Sequence, residues 1–122
     1  AMELLERVDL EKFAGVHAVE LAYGRKRTLE IATTLAMDPE LMLLDEPTAG
    51  MGHEDVDRVK GLIKEVAEGR TVVMVEHNMS VVSGICDTIT VLQRGGVLAE
   101  GTYAEVSANP QVIEAYMGTA HG

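Results

Sequence analysis

A helical period and, at the strands, a period-free apolar run organise the apolar positions of this chain. Leu4, Leu5 and Val8 share one helical face of residues 2–9, which predicts a short opening helix. Residues 10–20 follow neither pattern and read as irregular. From Gly24 onward Leu29, Ala32, Leu35 and Ala36 recur at three-to-four spacing. That helix should end near Asp38-Pro39, because the residue before a proline is pushed out of the helical region. Leu41–Leu44 is a continuous apolar run between Pro39 and Pro47, too short for a buried helix, and it predicts a central strand.

Gly50 and Gly52 mark a turn, and Val56, Val59, Leu62, Ile63 and Val66 then space out an amphipathic helix stopping near Gly69. Thr71 to Val75, rich in β-branched residues, predicts a second strand. One helix between two strands makes a βαβ unit with parallel pairing. A short helix over residues 78–85 follows, then a hairpin around Gly95-Gly96 and short helical pieces over 105–107 and 112–117. The class is α/β.

Composition narrows the function. A chain of 122 residues with 47% hydrophobic residues can bury one core. No apolar run approaches the ~20 residues of a membrane-spanning helix, and no signal-peptide pattern opens the sequence. The opening Ala1-Met2 reads as the remnant of a cloning tag. A soluble intracellular protein is expected, and the single cysteine, Cys86, agrees with a reducing compartment and reads as core. Met37, Met42 and Met74 read as core fillers. The net charge of −10 and the scarcity of aromatics speak against nucleic acid as a partner. The basic cluster is Arg25-Lys26-Arg27 at a helix start, where cations oppose the macrodipole. A nearby phosphate would relieve that cost at Arg25, while Lys26 and Arg27 are assigned to solvent.

The candidate chemistry sits where the strands end. Ligands of open parallel α/β sheets lie outside the carboxyl ends of the strands. Asp45-Glu46 follows the first strand and Glu76-His77 the second, so acids and an imidazole face one crevice. A magnesium–phosphate centre needs one hard carboxylate on the metal side, and Asp45 fits. It also needs a group that orients or deprotonates water, and Glu46 fits. The bland alternatives are a solvated turn for the acids and a hydrogen-bonded surface histidine for His77. A zinc site from His77, Asp45 and His17 or His53 is conceivable, but no pair has helical metal spacing.

With these residues in place, "LAYGRKRTLEIATTLAMDPELMLLDEPTAGM…TVVMVEHNM" resembles the ATP-binding subunits of ABC transporters over nearly the whole chain. The segment "LAYGR" and the tail "VLAEGTYAEVSANPQVIEAYMG" look most like the branched-chain amino acid importers. The resemblance implies the C-terminal part of a P-loop NTPase core, with parallel strands flanked by helices and a C-terminal hairpin. Residues about 2–38 would be the end of the helical subdomain with the signature helix. Residues about 39–122 would be the Walker B, D-loop and switch-histidine core with its tail. Leu21, Ala22, Tyr23, Gly24 and Arg25 stand where the signature stands, at a helix N-terminus suited to phosphate. In the family that signature meets ATP held by the opposite subunit. Asp45 matches the magnesium-side acid, Glu46 the catalytic carboxylate, Ala49 to Gly52 (with Gly50) the D-loop, and His77 the switch histidine. Ala22 replaces the signature serine, Arg25 the usual glutamine and Gly52 the usual Asp or Asn of the D-loop, which weakens the expectation of efficient hydrolysis.

A P-loop needs Gly-x-x-x-x-Gly-Lys-Ser/Thr, and no Gly-Lys pair occurs in the sequence. The expectation is a C-terminal piece of an ATPase subunit that is inactive alone and needs the missing segment to bind ATP and Mg²⁺ fully. The parent would work at the inner face of the cell membrane with transmembrane permease subunits and a second ATPase subunit. The alternatives are a non-catalytic module that pairs with an intact subunit and a soluble ABC ATPase of repair or translation. A sheet lacking neighbouring strands exposes apolar faces and an edge, so the piece should homo-oligomerise.

Overall fold

The computed structural model describes residues 1–117, which fall into two units divided after Asn78. In the first unit, helix α1 (Met2–Arg7) leads through two 3₁₀ turns at Glu11–Phe13 and Ala18–Glu20 into helix α2 (Tyr23–Leu35). Strand β1 (Leu41–Asp45), helix α3 (His53–Val66) and strand β2 (Thr71–Val75) follow. β1 and β2 pair in parallel, with Leu41 opposite Thr71 and Asp45 opposite Val75.

Helix α3 buries Val56, Val59, Leu62, Ile63 and Val66, the five residues whose spacing predicts it. Helix α2 behaves differently. Its buried stripe is Thr28, Ile31, Ala32 and Leu35, while Leu29 is half-buried and Ala36 exposed. The face is turned about one residue from the predicted one because Thr28 can be buried at little cost. Its Oγ1 donates to the Gly24 carbonyl at 2.9 Å, so the polar atom is satisfied inside the helix.

The predicted central strand departs from expectation. Among the described residues β1 pairs with β2 in a two-stranded sheet, and one face of that sheet is open. Met42 is fully buried, whereas Leu43 is 72% exposed and Val75, on the same face, is 60% exposed. The apolar run was therefore a correct sign of a sheet with two apolar faces, only one of which these residues cover. Met37 is a correction: it is 74% exposed, because it lies past the end of α2 in a turn rather than on the buried stripe. Met74 and Cys86 are half-buried.

The second unit holds helix α4 (Met79–Ile85), strands β3 (Ile89–Gln93) and β4 (Gly96–Gly101), and helices α5 (Tyr103–Ser107) and α6 (Pro110–Val112), the last running into a π turn at Ile113–Met117. β3 and β4 form the predicted hairpin. Its two turn residues are Arg94 and Gly95, both at positive φ (51° and 82°), as a turn matching the strand twist requires. Thr102 and Glu105 form a reciprocal capping box at the start of α5. The Tyr116 hydroxyl donates to the Leu92 carbonyl and ties the tail to β3. Gly118, the end of the tail quoted above, lies outside the described residues.

Candidate functional site

The parallel register brings the carboxyl ends of β1 and β2 level, so the residues that follow them meet. Asp45 ends β1 on the exposed face, and Glu46 turns the chain away in the left-handed region at φ 45°. The Glu46 amide donates to the Val75 carbonyl at 2.8 Å, extending the ladder one residue past the strands. On the β2 side, His77 Nε2 lies 3.6 Å from Glu46 Oε1. The two residues expected to share a crevice are thus side by side. Both reach solvent, with side chains 69% exposed for His77 and 47% for Glu46.

Two residues absent from the expected site build its frame. Thr48 is 4% exposed, and its hydroxyl donates to Glu76 Oε2 at 2.7 Å. Glu76 Oε1 accepts the amides of His77 at 3.0 Å and Asn78 at 3.2 Å. The other is Arg27, assigned to solvent from sequence. Its guanidinium donates to the Glu46 carbonyl at 2.9 Å and reaches that of Asp45 at 3.4 Å. It also pairs with Glu30 at 3.1 Å. Glu30, three residues on, is a helical partner for Arg27 that the spacing discloses; the reach to a strand end 18 residues away has no local signature.

The residues at the signature position sit at the start of α2. Ala22 is its N-cap, extended and without a side-chain cap bond, so the first-turn amides of Tyr23, Gly24 and Arg25 have no intrahelical acceptor. Leu21 is buried just before it. Arg25, expected to favour phosphate, has its guanidinium 4.4 Å from the centroid of the Phe13 ring, a cation–π contact. Gly24 is buried where a methyl group would come within 2.7 Å of Asp55 Oδ2 on α3. Gly50, at φ 75°, is close enough to the Tyr23 ring that an added Cβ would lie 3.6 Å from it. The start of α2 and the turn after β1 are therefore neighbours.

No group of three or more His, Cys, Asp or Glu among the described residues is arranged to hold a metal, so the zinc alternative has no ligand set there. One exposed aspartate at a strand end suits a magnesium ion that keeps most of its waters and takes phosphate oxygens.

The fold is that of an ATP-binding cassette. It superposes on a cassette of an ABC transporter crystallised in its ADP conformation with a TM-score of 0.86 at 30% identity, covering 96% of this chain and 48% of that one. A nucleotide-free cassette gives a TM-score of 0.86 at 28% identity, over 95% of this chain and 48% of the other. Residues 1–49 match the ABC transporter family, and residues 97–122 match the branched-chain amino acid ATP-binding cassette transporter family. The high-affinity branched-chain amino acid transport ATP-binding protein BraF of Pseudomonas aeruginosa is 42% identical over 98% of this chain and 48% of its own length. LivG of Escherichia coli, of the same description, is 42% identical over 95% of this chain and 46% of its own. Over nearly all of its length the chain is thus similar to ATP-binding proteins of ABC transporters, with a tail that matches the branched-chain amino acid type. It spans about half the length of the curated relatives it matches. No helix among the described residues is long and apolar enough to cross a membrane.

Proposed function

We propose that the chain supplies the hydrolysis side of an ATP-hydrolysing, energy-coupling subunit of an ABC importer for branched-chain amino acids. The observation that carries this reading is the pairing of Glu46 with His77 at the joined ends of two parallel strands, directly after Asp45. Asp45 would hold the magnesium side, and bound magnesium would neutralise phosphate charge. Glu46 accepts a proton from, or orients, the attacking water. His77 donates to the terminal phosphate, and its position beside Glu46 lets both address the same reacting group. Leu21 to Arg25 present the start of α2 to a nucleotide held by a second ATPase subunit, and Gly50 lies in the turn that crosses to that subunit. Residues about 2–38 act as the signature-bearing part and about 39–122 as the core and tail.

These 122 residues contain no Gly-Lys phosphate loop. Full binding of Mg-ATP therefore draws on residues outside them, and the chain alone is inactive. The working assembly includes transmembrane permease subunits at the inner face of the cell membrane. A second reading, a non-catalytic module pairing with an intact ATPase subunit, is favoured by Ala22, which leaves the start of α2 without a hydroxyl cap.

The test is titration with a fluorescent ATP analogue and Mg²⁺. It is run on the chain alone and mixed with a polypeptide covering the half of BraF that this chain does not match. Binding and hydrolysis in the mixture only, with hydrolysis lost in Glu46→Gln, is the expected result. Binding restored without hydrolysis would favour the non-catalytic module. Tight binding by the chain alone would overturn the reliance on an outside phosphate loop.

A further inference from the structure

The exposure of the Glu46 and His77 side chains raises the question of what keeps them together. An imidazole that is 69% exposed has most of its surface in solvent, so its position depends chiefly on the backbone that carries it. That backbone is held by Glu76. One carboxylate oxygen receives two consecutive amides, His77 and Asn78, and the other receives the buried hydroxyl of Thr48. The charge-assisted bonds make this carboxylate a rigid joint, since each is stronger than a neutral bond. Thr48 lies two residues after Glu46 and opens the turn through Gly50, where its carbonyl accepts the Met51 amide at 3.2 Å.

We infer that Thr48 and Glu76 are positioning residues that set the His77 backbone relative to Glu46 and link it to the turn through Gly50. The inference rests on the roles proposed above for Glu46 and His77. In this role Glu76 acts as a hydrogen-bond acceptor. A glutamine can do the same work: its oxygen accepts the two amides, and its NH₂ donates to the Thr48 oxygen.

The experiment compares Glu76→Ala, Glu76→Gln, Thr48→Val and Thr48→Ser in the full 122-residue chain, reading amide hydrogen exchange residue by residue. Glu76→Ala and Thr48→Val are expected to speed exchange at His77 and Asn78 by roughly tenfold, the loss expected of charge-assisted bonds. Thr48→Ser keeps protection, and Glu76→Gln keeps more of it than Glu76→Ala, losing only the charge assistance. In the mixture that hydrolyses ATP, Glu76→Ala lowers kcat with KM unchanged, Glu76→Gln restores it, and the effect of Glu76→Ala disappears in a His77→Ala background. Unchanged exchange at His77 and Asn78 in Glu76→Ala would overturn the inference, as would Glu76→Gln behaving like Glu76→Ala. If the mixture of unaltered proteins hydrolyses nothing, the ATPase reading fails, and the exchange pattern still decides whether Glu76 holds His77.

Discussion

The guanidinium of Arg27 donates to the Glu46 carbonyl at 2.9 Å, joining the second turn of α2 to the residue that follows strand β1. A carbonyl at a strand end normally meets water, so a fixed cation there trades solvent for a directed contact. The same side chain reaches the Asp45 carbonyl, and it thereby braces both acidic residues through their backbone while leaving their carboxylates free. Movement of α2 and movement of the Asp45-Glu46 turn are mechanically linked.

Arg27→Ala should therefore destabilise the chain by about 1–3 kcal/mol, the range for hydrogen bonds from a charged donor. Arg27→Lys should recover only part of that, because a lysine ammonium lacks the planar fork that spans two carbonyls. Urea denaturation followed by circular dichroism measures both. A loss below about 0.5 kcal/mol for Arg27→Ala, the size of an ordinary surface substitution, would mean the bond is solvent-replaceable.

Helix α2 also meets α3 at Gly24, where the Asp55 carboxylate occupies the space of a side chain and pairs with Arg58 at 3.2 Å. Gly24→Ala gains helix propensity but must push that carboxylate aside. We expect Gly24→Ala alone to cost about 1 kcal/mol and to become neutral or stabilising in an Asp55→Ala background. A thermal-unfolding double-mutant cycle reads this directly, and purely additive effects would show that the carboxylate moves away freely.

The open face of the β1–β2 sheet predicts self-association of the isolated chain. Leu43 and Val73 are cross-strand neighbours on that face, and both are exposed. Threonine at both positions keeps strand propensity and removes apolar surface. The double substitution should weaken association by tenfold or more, given ~1.5–3 kcal/mol for each fully buried apolar side chain. Sedimentation velocity across concentrations measures it. A chain that is monomeric at every concentration would sink the prediction.

What the sequence disclosed and what it withheld divide along the range of the interactions. Helix α3 was legible from its local period and strand β2 from its β-branched residues, and the nearness of Glu46 and His77 followed from βαβ geometry. Arg27 was assigned to solvent because its partners, two main-chain carbonyls 18 and 19 residues away, leave no mark on residue type. Glu76 was noticed as a strand-end acid, yet its function as acceptor for two amides depends on a backbone turn that residue identities do not encode. Met37 misled because apolar character was weighed without its place beyond the last helical turn. The apolar run of β1 reported two apolar faces of its sheet, and among the described residues one of them is exposed.

Glu46 offers a sharper test of how site and stability trade against each other. It holds φ at 45°, a region costing an L-residue with a side chain on the order of 1 kcal/mol that glycine does not incur. Its carboxylate lies 3.6 Å from His77 and its side chain is half exposed. Asp9, Asp38 and Arg94 also adopt positive φ where the chain turns, so the conformation at Glu46 is that of a turn at the end of β1. Glu46→Gly and Glu46→Ala both remove the carboxylate and the His77 contact, and they differ chiefly in backbone freedom. Because glycine also loosens the unfolded chain, the native-state gain is partly offset. The glycine variant should still be the more stable of the two by about 0.5–1 kcal/mol in urea denaturation, while both abolish hydrolysis in the reconstituted mixture. Equal stability would mean that the turn relaxes when the carboxylate is gone, and that the left-handed conformation is held for Glu46 alone.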